Sequence, residues 1–136
     1  PATESIAKHL LPAPDLDKLQ GTIAAFTRAF QTKIETWRRR LDQIAQQRQK
    51  TVVWGAGSKG VMFLNLLKDY ELIEYAVDLN PRKTGKFIPG TGQAVVAPAF
   101  LEYYRPDLVI IMNPIYEAEI RQQCSDLGLY PDILCG

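Results

Sequence analysis

The tract that most constrains this chain is Gly55-Ala56-Gly57-Ser58-Lys59-Gly60. It stands directly after the short apolar run Thr51-Val52-Val53-Trp54 and directly before Val61-Met62-Phe63-Leu64-Asn65-Leu66-Leu67. G-x-G-x-x-G between a strand and a helix joins the two through a turn that larger side chains would obstruct. Gly55 permits the turn, Gly57 lets a ligand phosphate come close to the backbone, and Gly60 lets the helix pack against the strand. The helix start then offers unpaired N–H groups to an anion. Asp78 ends the next apolar run, about 20 residues further on, where a carboxylate can accept hydrogen bonds from ribose hydroxyls. The alternative is purely structural: the glycines allow close helix–strand packing and Asp78 caps the following turn.

The remainder of residues 51–136 keeps the same rhythm. Residues 73–78, 94–96, 108–112 and 133–134 read as further strands. Pro98 opens a brief helix through Tyr104, and residues 116–127 suit another, stopped by Gly128. Strands alternating with helices through short connections predict an α/β fold, with a four- or five-stranded, mostly parallel sheet and flanking helices.

Residues 1–14 read as a linker interrupted by Pro12 and Pro14, and residues 15–50 as one long amphipathic helix. Between Asp15 and Gln49 there is no proline and a single glycine, Gly21. Leu16, Leu19, Ile23, Phe26 and Phe30 fall at spacings of three and four, and Ile34, Trp37, Leu41 and Ile44 continue the stripe after a stutter. Such a helix is roughly 50 Å long, more than a small domain needs. Part of the stripe is therefore expected to cover a second copy, as a homodimer, or another domain. The chain begins with Pro1 rather than Met, which suggests a processed product or a fragment.

Several function classes are excluded early. The net charge is +1, which gives no warrant for nucleic-acid binding. Residues 15–50 carry 8 basic and 4 acidic side chains, and Arg38-Arg39-Arg40 reads as a solvated helix face. Two cysteines, Cys124 and Cys135, are too few and too oddly spaced for a disulfide framework or a zinc site, so no metal is expected. The one histidine, His9, lies in the linker, so no Ser-His-Asp or Cys-His apparatus can sit in the core. No apolar run approaches the roughly 20 residues of a membrane span, no signal-peptide pattern opens the chain, and a cytoplasmic location is expected.

Three ligands suit the glycine loop. A dinucleotide usually needs two mononucleotide-binding halves, and this chain has residues for little more than one. S-adenosylmethionine also sits over a glycine-rich first loop, but here the preceding strand ends in Trp54 rather than an acidic residue. A nucleotide diphosphate needs less protein, and Lys59 adds a cation near its phosphates. The stretch from Leu79 to Thr91 adds Arg82, Lys83 and Lys86 between the turn signals Asn80-Pro81 and Pro89-Gly90. Those basic groups either neutralise a diphosphate or are solvated on a loop.

VVWGAGSKGVMFLN, then YAVDLNPRKTGKFIPGT, then an apolar strand leading to Asn113 and Glu119-Ile120, together resemble the C-terminal domain of S-adenosylmethionine-dependent sugar C-methyltransferases. The resemblance is close over residues 51 to about 120, and the preceding helix fits it too. It implies a Rossmann-like domain that helps to hold a nucleotide-diphosphate sugar. The cofactor, zinc and catalytic groups would lie in an N-terminal methyltransferase portion outside this sequence, and this chain alone would be catalytically silent. The implied substrate-binding residues are Gly55, Gly57, Ser58, Lys59, Gly60, Asp78, Asn80, Lys83, Lys86 and Asn113. Ser58 and Thr84 stand where the family more often has Ala and Gln, and Gly92-Gln93-Ala94 replaces a His-Ile-Pro type of continuation. Two alternatives remain open: a NAD(P)-binding module of an oxidoreductase or sensor, supported by Asp78, and a structural or dimerising module without a ligand, supported by the helix stripe.

Overall fold

The computed structural model describes residues 13–68 and 71–136, with side chains from residue 16 onward. Its elements are helix α1 (Ala13–Gln47), strand β1 (Thr51–Trp54), helix α2 (Ser58–Leu66), strands β2 (Ile73–Val77) and β3 (Ala94–Val96), a 3-10 turn (Pro98–Phe100) running into the short helix α3 (Leu101–Tyr104), strand β4 (Leu108–Ile111), a second 3-10 turn (Pro114–Tyr116), helix α4 (Glu117–Asp126) and strand β5 (Asp132–Cys135). The expected linker lies outside the described residues except for Ala13 and Pro14. These open α1, where a proline has no intrahelical N–H partner to lose.

The chain divides into two units between Trp37 and Arg38. The first contains the N-terminal part of α1. There Leu19, Ile23 and Phe26 are exposed, Phe26 at 70%, and Phe26 stacks on Phe30 with ring centroids 6.3 Å apart. Thr22, Thr27, Thr32 and Thr36 each return their hydroxyl to the carbonyl four residues back, so they add no competing turn.

The second unit holds the sheet and its core, and Leu41 and Ile44 from the last turns of α1 are buried within it. All five strands are parallel, in the order β3-β2-β1-β4-β5. The continuous apolar runs of β1 and β4 are buried at every position, as expected for strands covered on both faces. Side chains alternate between the faces. Val52, Trp54, Val77, Val109 and Ile111 pack on one side with Leu101, Ile120, Cys124 and Leu129. Val53, Ala76 and Ile110 fall on the opposite side and are fully buried there. Burial pushes the Cys124 thiol above its ordinary pKa, and the nearby Arg121 opposes that only in part, so this cysteine is an inert packing group. No helix among the described residues is long and apolar enough to cross a membrane.

Two local devices fix how α1 hands over to the sheet. Arg48 takes a left-handed conformation (φ 53°), its N–H donates to the Ala45 carbonyl at 3.1 Å, and Gln49 N–H donates to Ile44 at 3.2 Å. That is a Schellman ending built without glycine. The chain is then clamped to β4: the Asp107 carboxylate accepts Lys50 N–H at 2.8 Å, and the Lys50 carbonyl accepts the N–H groups of Asp107 and Leu108 at 2.8 and 3.1 Å.

Beside this clamp, Tyr104 packs edge-on against Tyr75 (4.9 Å), and the Lys50 ammonium lies 5.2 Å over its ring. Burial first, then the Glu74 carboxylate, pushes the Tyr104 hydroxyl from its ordinary 10.0 up to about 12.

Replacing Arg48 by Gly relieves the left-handed strain and is expected to raise stability by about 0.5–1 kcal/mol in urea unfolding. Tyr104 favours its protonated form in the folded state. Its contribution is therefore complete below the unfolded value near 10 and is lost as pH rises toward about 12. Tyr104→Phe is expected to remove a phenol that ionises at about 12 from a tyrosinate absorbance titration, and to flatten the decline of urea-unfolding stability across that window.

Candidate functional site

The geometry of the glycine loop separates what the fold requires from what it leaves open. Gly55 follows β1 at φ 119°, a conformation that favours glycine, and its N–H donates to the Val77 carbonyl at 2.7 Å. A Cβ on Gly60 would run into the Gly55 carbonyl oxygen, so this glycine is demanded by the approach of α2 to the turn. Gly57 is different. It caps α2 in ordinary extended backbone (φ −81°), and a Cβ there would meet only the Lys83 ammonium at 3.9 Å. The first helical bond of α2 is Val61 N–H to the Gly57 carbonyl at 3.0 Å. The N–H groups of Ser58, Lys59 and Gly60 precede it, at the positive end of the helix.

Asp78 ties this loop to the turn after β2. One carboxylate oxygen accepts Ala56 N–H at 2.9 Å and the other accepts Asn80 N–H at 2.9 Å. Lys83 completes the latch, its ammonium 3.7 Å from Asp78 and 3.4 Å from the Ala56 carbonyl. Asp78 therefore does cap the next turn, and it also holds the glycine loop.

The other wall comes from the far side of β1. In the order β3-β2-β1-β4-β5, the chain leaves β1 toward β2 and leaves β4 toward β5, so the loops after these neighbouring strands diverge. That point is where open parallel sheets form a ligand crevice. A cleft of about 480 Å³ occupies it. One wall is Gly55, Gly57, Ser58, Lys59 and Gly60 with Asp78 and Leu79; the other is Met112, Asn113, Tyr116, Glu119, Ile120 and Gln123, and Trp54 also lines it. Asn113 starts the second 3-10 turn by accepting Ile115 N–H at 3.2 Å.

Seven of the sequence-derived residues thus share one cleft: Gly55, Gly57, Ser58, Lys59, Gly60, Asp78 and Asn113. Asn80, Lys83 and Lys86 do not line it. Asn80 accepts Arg82 N–H at 3.0 Å, Lys83 serves the Asp78 latch, and the Lys86 carbonyl accepts Val95 N–H at 2.8 Å, carrying that loop back along β3. Sequence reasoning gave no role to Met112 or Gln123 and named Glu119 only within a motif. The spacing Tyr116, Glu119–Ile120, Gln123 is one helical face directly after β4, which is the signal for a wall. Among the described residues no group of His, Cys, Asp and Glu is arranged to hold a metal ion.

A five-stranded parallel sheet in this order, with a glycine-rich first loop at its switch point, defines a Rossmann-like domain. The family model of the C-methyltransferase C-terminal domain matches residues 14–128, and this chain belongs to that family. No curated protein matches the sequence. Solved structures similar to it include RSP in complex with β-NAD+ and operator DNA, at 20% identity and TM-score 0.47, covering 63% of this chain and 48% of that one. RSP described as a Rex-family repressor is 16% identical with TM-score 0.48, covering 75% of this chain and 60% of that one. RSP in complex with β-NADH is 17% identical with TM-score 0.47, covering 75% and 61% respectively. The chain thus spans between 48% and 61% of the length of those three proteins.

Asp78→Ala leaves the buried Ala56 N–H without its acceptor and is expected to cost about 2–3 kcal/mol. Gly60→Ala is expected to cost about 1–3 kcal/mol through the Gly55 clash, whereas Gly57→Ala stays within about 0.5 kcal/mol. Urea midpoints of the three variants check that ranking.

Proposed function

We propose that this domain is the nucleotide-sugar-binding module of an S-adenosylmethionine-dependent sugar C-methyltransferase. On this reading the cofactor site and the catalytic groups belong to a methyltransferase portion outside this sequence, and this chain contributes affinity and orientation. Family membership supports the enzyme class. The observation that carries the ligand is Gly57: the fold tolerates a side chain there, yet the position lines the cleft beside the free N–H groups of α2. A glycine that packing does not require suits a backbone that must admit a phosphate.

Each wall then has a part. The N–H groups of Ser58, Lys59 and Gly60, with the Lys59 ammonium, hold the diphosphate. The exposed ring of Tyr116 and the exposed side chain of Leu79 offer apolar surface to a base. Asn113 keeps its amide for a polar group of the ligand while its oxygen caps the 3-10 turn. The exposed stripe of Leu19, Ile23 and Phe26 on α1 is assigned to the remaining enzyme or to a homodimer partner.

Titration with thymidine diphosphate, NAD and S-adenosylmethionine, followed by thermal unfolding, tests this reading. A ligand that prefers the native state raises the midpoint, by about 2.7 kcal/mol of stabilisation at a hundred times its Kd. Thymidine diphosphate is expected to raise it, and Gly57→Ala to abolish that rise while the unliganded midpoint stays put. A rise with NAD alone would replace the proposal with a dinucleotide module, and no rise with any of the three would leave the cleft without the assigned ligand.

A further inference from the structure

The cleft is lined by three charged side chains: Lys59, Asp78 and Glu119. Asp78 is committed, since both of its oxygens accept backbone N–H groups and Lys83 sits beside it. Glu119 is not. It is exposed on the first turn of α4 and lines the cleft, and among the described residues no cation pairs with it. The neighbouring Arg121 is turned to Glu117 instead, at 3.6 Å. Gln123 lines the cleft one helical turn beyond Glu119.

The two walls are therefore of opposite character. The α2 wall carries a cation and free N–H donors. The α4 wall carries a carboxylate with open acceptor sites followed by an amide. A diphosphate is repelled from the second and held by the first, so the α4 strip meets an uncharged part of the ligand. Hydroxyl groups, which donate to a carboxylate, satisfy it. A second anionic group there would face like charge, a repulsion that solvent and salt screen at this exposed position.

We propose that Glu119 is the specificity residue for the sugar, accepting hydroxyls of a neutral sugar and rejecting one that bears a carboxylate. The inference rests on the nucleotide-sugar reading above and deepens it. Neighbouring Gln123 donates its amide N–H to a ring or hydroxyl oxygen of the same sugar.

Calorimetric titration with thymidine diphosphate, thymidine-diphosphoglucose and thymidine-diphosphoglucuronate tests it on the wild-type chain and on Glu119→Gln. The wild type is expected to prefer the glucose conjugate over the glucuronate by roughly tenfold at low salt, and added salt to shrink that ratio. Glu119→Gln is expected to bring the ratio within about threefold. Binding of thymidine diphosphate with no preference between the two sugars, or a preference that Glu119→Gln and salt leave unmoved, overturns the role of Glu119 and spares the ligand class. Failure of all three ligands to bind removes both.

Discussion

The hydrogen bonds of the Asp78 carboxylate hold the glycine loop and the turn after β2, which together form one wall of the cleft, in register. The glycine loop and the turn after β2 are 22 residues apart in sequence at the Ala56–Asp78 bond, and this acidic side chain joins them. Its partners are backbone N–H groups, so the loop's position is set by main-chain geometry rather than by long side chains. Gly55 strengthens the same join through its bond to Val77, and Gly60 lets α2 come down onto the turn. The helix start then points into the cleft because the loop beneath it cannot drift.

The sheet order gives this join its consequence. With β1 central and the chain departing to opposite sides after β1 and β4, a crevice opens where the loops part. β1 and β4 are buried along their length, so the polar groups at this edge of the sheet are carried by the loops and helix starts that follow them. The same economy appears at the opposite end of the sheet. There Asp107 clamps Lys50, and the Asp107 carbonyl accepts the N–H of Asp132 at the start of β5 at 3.0 Å.

Much of this was legible in the residues. Period and punctuation located every strand, and G-x-G-x-x-G located the first loop, because both signals are local. The last strand proved longer than its two apolar residues suggested: β5 runs from Asp132 to Cys135 because pairing with β4, not hydrophobicity, sets its length. The role of Asp78 was half legible. Capping of Asn80 is a local pattern, whereas the bond to Ala56 depends on strand pairing that no short motif encodes. Lys83 and Lys86 look alike in sequence, yet one completes the latch and the other follows the loop along β3, a distinction made by the turn at Asn80–Gly85. Glu119 was visible as part of a motif, but the motif does not say that Arg121, two residues on, turns to Glu117 instead.

A phosphate site at the start of α2 fixes where a nucleotide diphosphate meets the protein. Backbone amide chemical shifts of the isotopically labelled chain, recorded during titration with thymidine diphosphate, read that location residue by residue. The largest changes are predicted at Ser58, Lys59 and Gly60, with smaller ones at Asn113 and Tyr116. Changes confined to the basic loop at Arg82–Lys86, or scattered along β5 with Ser58–Gly60 unmoved, would contradict a phosphate site at the start of α2.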